Sequence, residues 1–88
     1  LQMDSGNGRI FLVIGEEQLE GNRVRWTRYR SHDPEYDGSE EEAPVRAGQD
    51  NILKRDTIQD LPLAADCVEW YIYRGTPYPG MDWRKDPE

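Results

Sequence analysis

Cysteine and histidine each occur once in this 88-residue chain, as Cys67 and His32. A single cysteine excludes an intrachain disulfide, and with one imidazole it leaves a zinc site short of the nitrogen and thiolate ligands that such sites use. A chain of this kind is expected in a reducing compartment, and the cytoplasm is the natural assignment. Long apolar runs are also missing. The longest is Ile10-Phe11-Leu12-Val13-Ile14, far short of the roughly 20 residues that span a bilayer. No basic region followed by an apolar one marks the N-terminus, so neither a membrane span nor a signal peptide is expected. Met3 reads as a natural start, with Leu1-Gln2 ahead of it as vector-derived residues.

The motifs that carry catalysis are missing as well. Gly6-Asn7-Gly8 precedes the first strand and has no Lys-Ser/Thr behind it, whereas a phosphate-binding loop follows a strand and opens a helix. Asp33-Pro34-Glu35-Tyr36-Asp37-Gly38 lacks the ligand spacing of the twelve-residue calcium loop, and Pro44 stands where that loop has its closing bidentate Glu. Cys67 has no neighbouring base to activate it. The sequence therefore assigns no catalytic residue, no metal ligand and no cofactor, and an enzyme is the least supported class.

What the chain has in quantity is charge. Eighteen acidic residues against eleven basic ones give a net charge of −7, and nine of the eleven are arginines. A GC-rich genome or a salty cytoplasm explains such a bias without invoking a partner. The apolar residues, 35% of the chain, gather at 10–14, 24–26, 52–63 and 68–72, and this clustering predicts one small folded domain.

The predicted fold is α+β and β-rich: a small, mainly antiparallel sheet with one short helix or helical turns. Residues 1–8 read as a flexible lead-in, 9–74 as the domain, and 75–88 as a tail rich in Pro, Gly and aromatics. Ile10–Ile14 reads as a strand buried on both faces. The Gly21-Asn22 pair turns it into a second strand, Arg23–Arg30, with Val24 and Trp26 facing inward and Arg23, Arg25, Thr27 and Tyr29 outward. Residues 31–44 read as a solvated acidic loop, with His32 on the surface and Pro34, Gly38 and Pro44 against a long helix. Val45–Gly48 is either a short strand or a way out of the loop, followed by a turn at Gln49-Asp50-Asn51. Beyond it, either broken helical turns end before Pro62, or a strand at Asn51–Lys54 precedes one helical turn. Cys67–Arg74 reads as a last strand, with Val68, Trp70 and Ile72 inward, paired with Ile10–Ile14, and with Cys67 a half-buried structural thiol. Tyr78, Met81 and Trp83 either fold back over the sheet or present a linear motif, and folding back is the stronger reading.

Two surfaces are candidates for binding. The acids Asp33, Glu35, Asp37, Glu40, Glu41 and Glu42 suit a protein partner with a basic surface, a profile of size and charge shared by inhibitor and accessory proteins. The strand residues Arg23, Arg25, Arg28, Tyr29 and Arg30 combine cations with aromatics in the composition of a single-stranded nucleic-acid platform, although the net charge opposes a polyanion. A structural subunit of a larger assembly is the third reading.

Overall fold

The computed structural model describes residues 1–47 and 50–86; Gly48, Gln49 of the predicted turn and the terminal Pro87-Glu88 lie outside the described residues, while Asp50 and Asn51 of that turn belong to a strand. Among the described residues the fold is α+β, mostly antiparallel sheet with one helix and two 3-10 turns. Six strands, β1 (Gln2–Gly6), β2 (Arg9–Glu20), β3 (Arg23–Ser31), β4 (Glu42–Ala47), β5 (Asp50–Leu53) and β6 (Trp83–Lys85), accompany helix α1 (Leu61–Arg74). The strands form a four-stranded sheet in the order β1-β2-β3-β6 and a separate β4-β5 hairpin, and every pairing is antiparallel. No described helix is long and apolar enough to cross a membrane.

Ile10–Ile14 is buried throughout, and alternation along the strand sends its side chains to two different cores. Ile10 and Leu12 meet Ala64 and Cys67 of α1 together with Ile58 and Met81. Phe11 and Val13 meet Val45 of β4, with Ala43 and Ile52 beside it. The β2-β3 hairpin turns at Gly21, which adopts φ 62, as the Gly21-Asn22 pair leads one to expect.

Four expectations are corrected. The lead-in is a strand: β1 runs along β2 from Gln2 opposite Val13 to Gly6 opposite Arg9. It therefore takes the place beside Ile10–Ile14 that the C-terminal segment was expected to fill. That segment is helical. Asp60 caps α1 by accepting from the Leu63 N–H at 3.0 Å, Pro62 sits in the first turn where a missing N–H costs nothing, and Gly75 closes the helix with φ 68. Alternation over Val68, Trp70 and Ile72 imitates a strand, but Ala64, Cys67, Val68 and Tyr71 recur at the three- and four-residue spacing of a helix face. In the helix Ile72 is 68% exposed, and Trp70 is half-buried by the chain that returns after Gly75 rather than by the sheet.

The second strand presents the opposite face from the one expected. Val24 is 53% and Trp26 62% exposed, while Thr27 and Ser31 are buried. Of the two, Ser31 has partners on the helix side, where its Oγ accepts from the Leu12 N–H at 3.1 Å and donates to the Asp56 carbonyl at 2.7 Å, whereas the Thr27 hydroxyl is buried without a hydrogen-bond partner among the described residues. His32 is buried rather than superficial, with Nε2 3.5 Å from Asp37. Among the alternatives left open, β5 followed by a 3-10 turn at Lys54–Asp56 matches the strand-and-turn reading. The tail folds back: β6 pairs with β3, and Met81 is buried against α1.

A left-handed backbone costs a residue with a Cβ about 1–2 kcal/mol, and nothing stands within 4 Å of the Cβ that Gly75 lacks. Gly75→Ala is therefore expected to lower stability by that amount through the helix stop alone. Urea denaturation with an unchanged slope checks it.

Candidate interaction surface

The β2-β3 hairpin is longer than its neighbours. Strand β1 accompanies β2 only as far as Val13, and β6 accompanies β3 only over Tyr29–Ser31. From Gly15 to Arg28 the sheet is thus a two-stranded arm. Two-stranded ribbons are marginal in water on their own, and this one is held at its base by the Tyr71 hydroxyl, which donates to the Gly15 carbonyl at 2.7 Å.

The two faces of the arm differ in chemistry. One carries Arg23 and Arg25, where Arg25 pairs with Glu20 at 3.0 Å, and leads to Tyr29, whose pKa is raised by burial and by Glu16. The other carries Leu19 opposite Val24, and Glu17 opposite Trp26. Leu19 is 78% exposed and joins Val24 and Trp26 in an apolar stripe. The indole lies over Gly15, whose missing Cβ would sit 3.3 Å from Trp26 Cε3.

On the same face, two and four residues beyond Trp26, stand Arg28 and Arg30, with Arg84 opposite Arg30 on β6. These cations are interleaved with two carboxylates. Arg30 donates to Asp86 at 2.7 Å and stands 3.6 Å from Asp56; Arg28 is 3.9 Å from Asp86, and Arg84 is 3.8 Å from Asp56. The hydrogen bond to Asp86 is the main cause of the raised pKa of Arg30. Between this face and the β4-β5 hairpin opens a cleft of about 680 Å³, lined by Arg28, Arg30, Asn51, Arg55 and Asp56. The five strand residues expected to act together are therefore divided, with Arg28 and Arg30 on the Trp26 face and Arg23, Arg25 and Tyr29 on the other.

The six acids are divided too. Asp33 is structural: it pairs at 2.8 Å with Arg9, a guanidinium almost wholly buried, and its other oxygen caps the 3-10 turn at Pro34–Tyr36 by accepting from the Glu35 N–H at 3.1 Å. Tyr36 lies under Arg9 and Lys54, at 5.0 and 5.4 Å from its ring centre, and Glu41 accepts from Lys54 at 2.7 Å. Glu42 lies in β4 and accepts from Asn51 at 3.4 Å. Glu35, Asp37 and Glu40 are exposed. The segment expected to be mobile is fastened at both ends. The sequence reading missed Arg9 altogether, and its only signal was a cation placed directly before the apolar run. It also missed Trp26, which strand alternation placed inside.

Among the described residues, no three His, Cys, Asp or Glu side chains gather as a metal site. Cys67 is buried, more deeply than expected, and desolvation, with a smaller contribution from Asp66, pushes its thiol up to about 11. The chain matches no protein-family model, no curated protein and no solved structure.

Two outcomes follow. Asp33→Ala strands the buried Arg9 charge and is expected to cost about 3 kcal/mol, whereas Glu40→Gln changes stability by less than about 0.5 kcal/mol; thermal melts of the two variants compare them. For Cys67 the folded state favours the protonated thiol. Its contribution to stability is complete below the ordinary value of 9.0 and is lost as pH rises toward about 11. Native protein at pH 8 is accordingly expected to react with iodoacetamide far more slowly than protein unfolded in urea.

Proposed function

We propose that the chain is a non-enzymatic protein-interaction domain that docks through the Trp26 face of its arm. The observation that carries this reading is the stripe of Leu19, Val24 and Trp26, exposed side by side on a ribbon that no other described element covers. Trp and Arg are the residues on which interface energy concentrates. Here an exposed Trp26 is followed by Arg28, 63% exposed at its side chain, with Arg84 nearby at 46%. By charge complementarity the occupant is a segment of another protein with apolar residues to cover the stripe and a carboxylate to meet Arg28 and Arg84. The buried Cys67, with its raised pKa, supports a role outside catalysis, since the thiolate is the reactive form. A stable subunit contact in a larger assembly would use the same face.

A second reading keeps the basic partner suggested by the acid-rich sequence. It is favoured by Glu35, Asp37 and Glu40, which are exposed and lie beyond the far end of β3 from the arm's tip. Nucleic acid is the runner-up on the arm itself. Trp26 offers a stacking surface, but with Asp56 and Asp86 beside the guanidinium groups only the exposed parts of Arg28 and Arg84 remain for an anion, enough for one carboxylate and few for a chain of phosphates.

A photo-crosslinking residue at position 24, introduced in the source cell, tests the proposal. The expected result is a crosslinked protein whose purified complex loses about 2 kcal/mol on Trp26→Ala and also weakens on Arg28→Glu. Both sites are exposed, so melting temperatures are expected to stay close to that of the unaltered chain. A partner indifferent to these changes and lost on Glu35→Gln with Glu40→Gln would move the docking site to the acidic end. Recovery of nucleic acid, released steeply by salt, would replace the proposal with the runner-up.

A further inference from the structure

On the outside of α1, away from the arm, the helix and the returning chain build a second site. Asp66, Glu69, Trp70, Tyr73 and Arg74 fall at the three- and four-residue spacings of one helix face. Tyr78 closes that face from the segment that follows, and the six residues line an open cavity of about 420 Å³. Two of its walls are fixed from behind. The Trp70 indole N–H donates to Thr76 Oγ1 at 3.0 Å. The Tyr78 carbonyl accepts from the Trp83 indole at 2.9 Å and from the Met81 N–H at 3.2 Å. Gly80 presses against the Tyr78 ring, leaving a distance of only 2.5 Å between its missing Cβ and Tyr78 Cε2. The two rings meet edge to face, 5.5 Å apart at 62°, so they form a corner rather than a flat stack.

A cation already lies in this corner. The Arg74 guanidinium sits 4.5 Å above the centre of the Trp70 ring. It makes no ion pair among the described residues, and neither do Asp66 and Glu69. An aromatic corner with two free carboxylates at its rim favours a positive group by ring quadrupole and by charge together. Arg74 is tethered to the helix and weakly held, so it behaves as a displaceable occupant.

We propose that Trp70, Tyr73 and Tyr78, with Asp66 and Glu69, form a binding site for an alkylammonium group, and that Arg74 competes with the ligand for the Trp70 face. The group can be borne by a methylated lysine of another protein or by a free quaternary ammonium compound. The site is independent of the arm, so its failure leaves the docking proposal untouched, and the reverse holds.

The test follows the Trp70 indole N–H resonance during titration with tetramethylammonium, with choline, and with a peptide carrying trimethyllysine. The neutral carbon isostere of choline serves as the control. The expected result is saturable binding of the cations and none of the isostere. A peptide much tighter than choline identifies a protein source, and parity between them identifies a free compound. Arg74→Ala is expected to tighten binding about two- to fivefold, the range that one exposed cation–π contact spans. Asp66→Asn with Glu69→Gln is expected to weaken binding, and Tyr78→Ala to abolish it. Arg74, Asp66 and Glu69 are exposed, and melting temperatures confirm that those variants are folded. Equal binding of the isostere, or no saturable shift in either the unaltered chain or Arg74→Ala, would overturn the proposal.

Discussion

The structure is organised by a strand with no solvent-facing side. Ile10–Ile14 is buried on both faces, so it has to be covered twice, and a chain that is 35% apolar has little to cover it with. One layer is α1 with Ile58 and Met81, and the other is the β4-β5 hairpin with Val45 at its centre. Each cover contributes only a few wholly buried apolar side chains. A domain of this size hides a smaller share of its surface than a larger one does, so these few contacts have to be supplemented by polar ties.

Those ties begin at Arg9, the residue directly before the buried run. Its guanidinium pairs with Asp33 and donates to Thr57 Oγ1 and to the Lys54 and Thr57 carbonyls. A charge at that depth is tolerated only when paired and hydrogen-bonded. The requirement locks together two segments, 33–36 and 54–57, that have almost no apolar content of their own. Ser31 repeats the device one strand away, joining the Leu12 amide to the Asp56 carbonyl. A two-way backbone bridge between Ile10 and Ile58 completes the seam. Polar satisfaction, more than hydrophobic area, therefore fixes where the chain enters α1.

Much of the fold was legible in the sequence: the class, the buried strand, the hairpin turn at Gly21 and the return of the tail, whereas the strand and turn after Asn51 was only one of two readings that the residues left open. Local signals carried the legible parts, because an apolar run between glycines and a Gly-Asn turn mean much the same in any context. The failures share a cause. Val68, Trp70 and Ile72 alternate like a strand, and only the capping pair of Asp60 and Gly75 distinguishes them from one. Pro62 signals a helix stop in the sequence but lies in the first turn of α1 and marks a start. In β3, alternation divides the residues correctly into two sets but cannot say which set faces the core, because that depends on Tyr71 and Asp56, distant in sequence. The candidate surfaces suffered most from this. Placing Trp26 inside removed from view the most conspicuous exposed aromatic on the arm, and the aromatic corner of Trp70 and Tyr78 exists only because Gly75 turns the chain back.

The preference for arginine over lysine has a structural use beyond codon bias. Arg9 satisfies a carboxylate, a hydroxyl and two carbonyls at once, and Arg30 reaches both Asp56 and Asp86; a lysine ammonium on its single stem lacks the fork for either task. The same residues determine how charge is distributed. Arg28 and Arg30 follow Trp26 on its face, with Glu17 opposite it, whereas the exposed acids Glu35 and Glu40 lie beyond the far end of β3. The nine residues of that strand separate the acids from the arm's tip by roughly 25–30 Å at about 3.3 Å per residue. Charges are screened over about 8 Å at physiological ionic strength, so the acidic end lies several screening lengths from the tip. A partner that reaches the arm therefore meets the local field of Arg28, Arg30 and Arg84, partly cancelled by Asp56, Asp86 and the exposed Glu17 opposite Trp26, rather than the net charge of −7. A short anionic segment fits within that local field. A long polyanion extends out of it toward the acids, and this difference in reach favours a protein segment over nucleic acid on the arm.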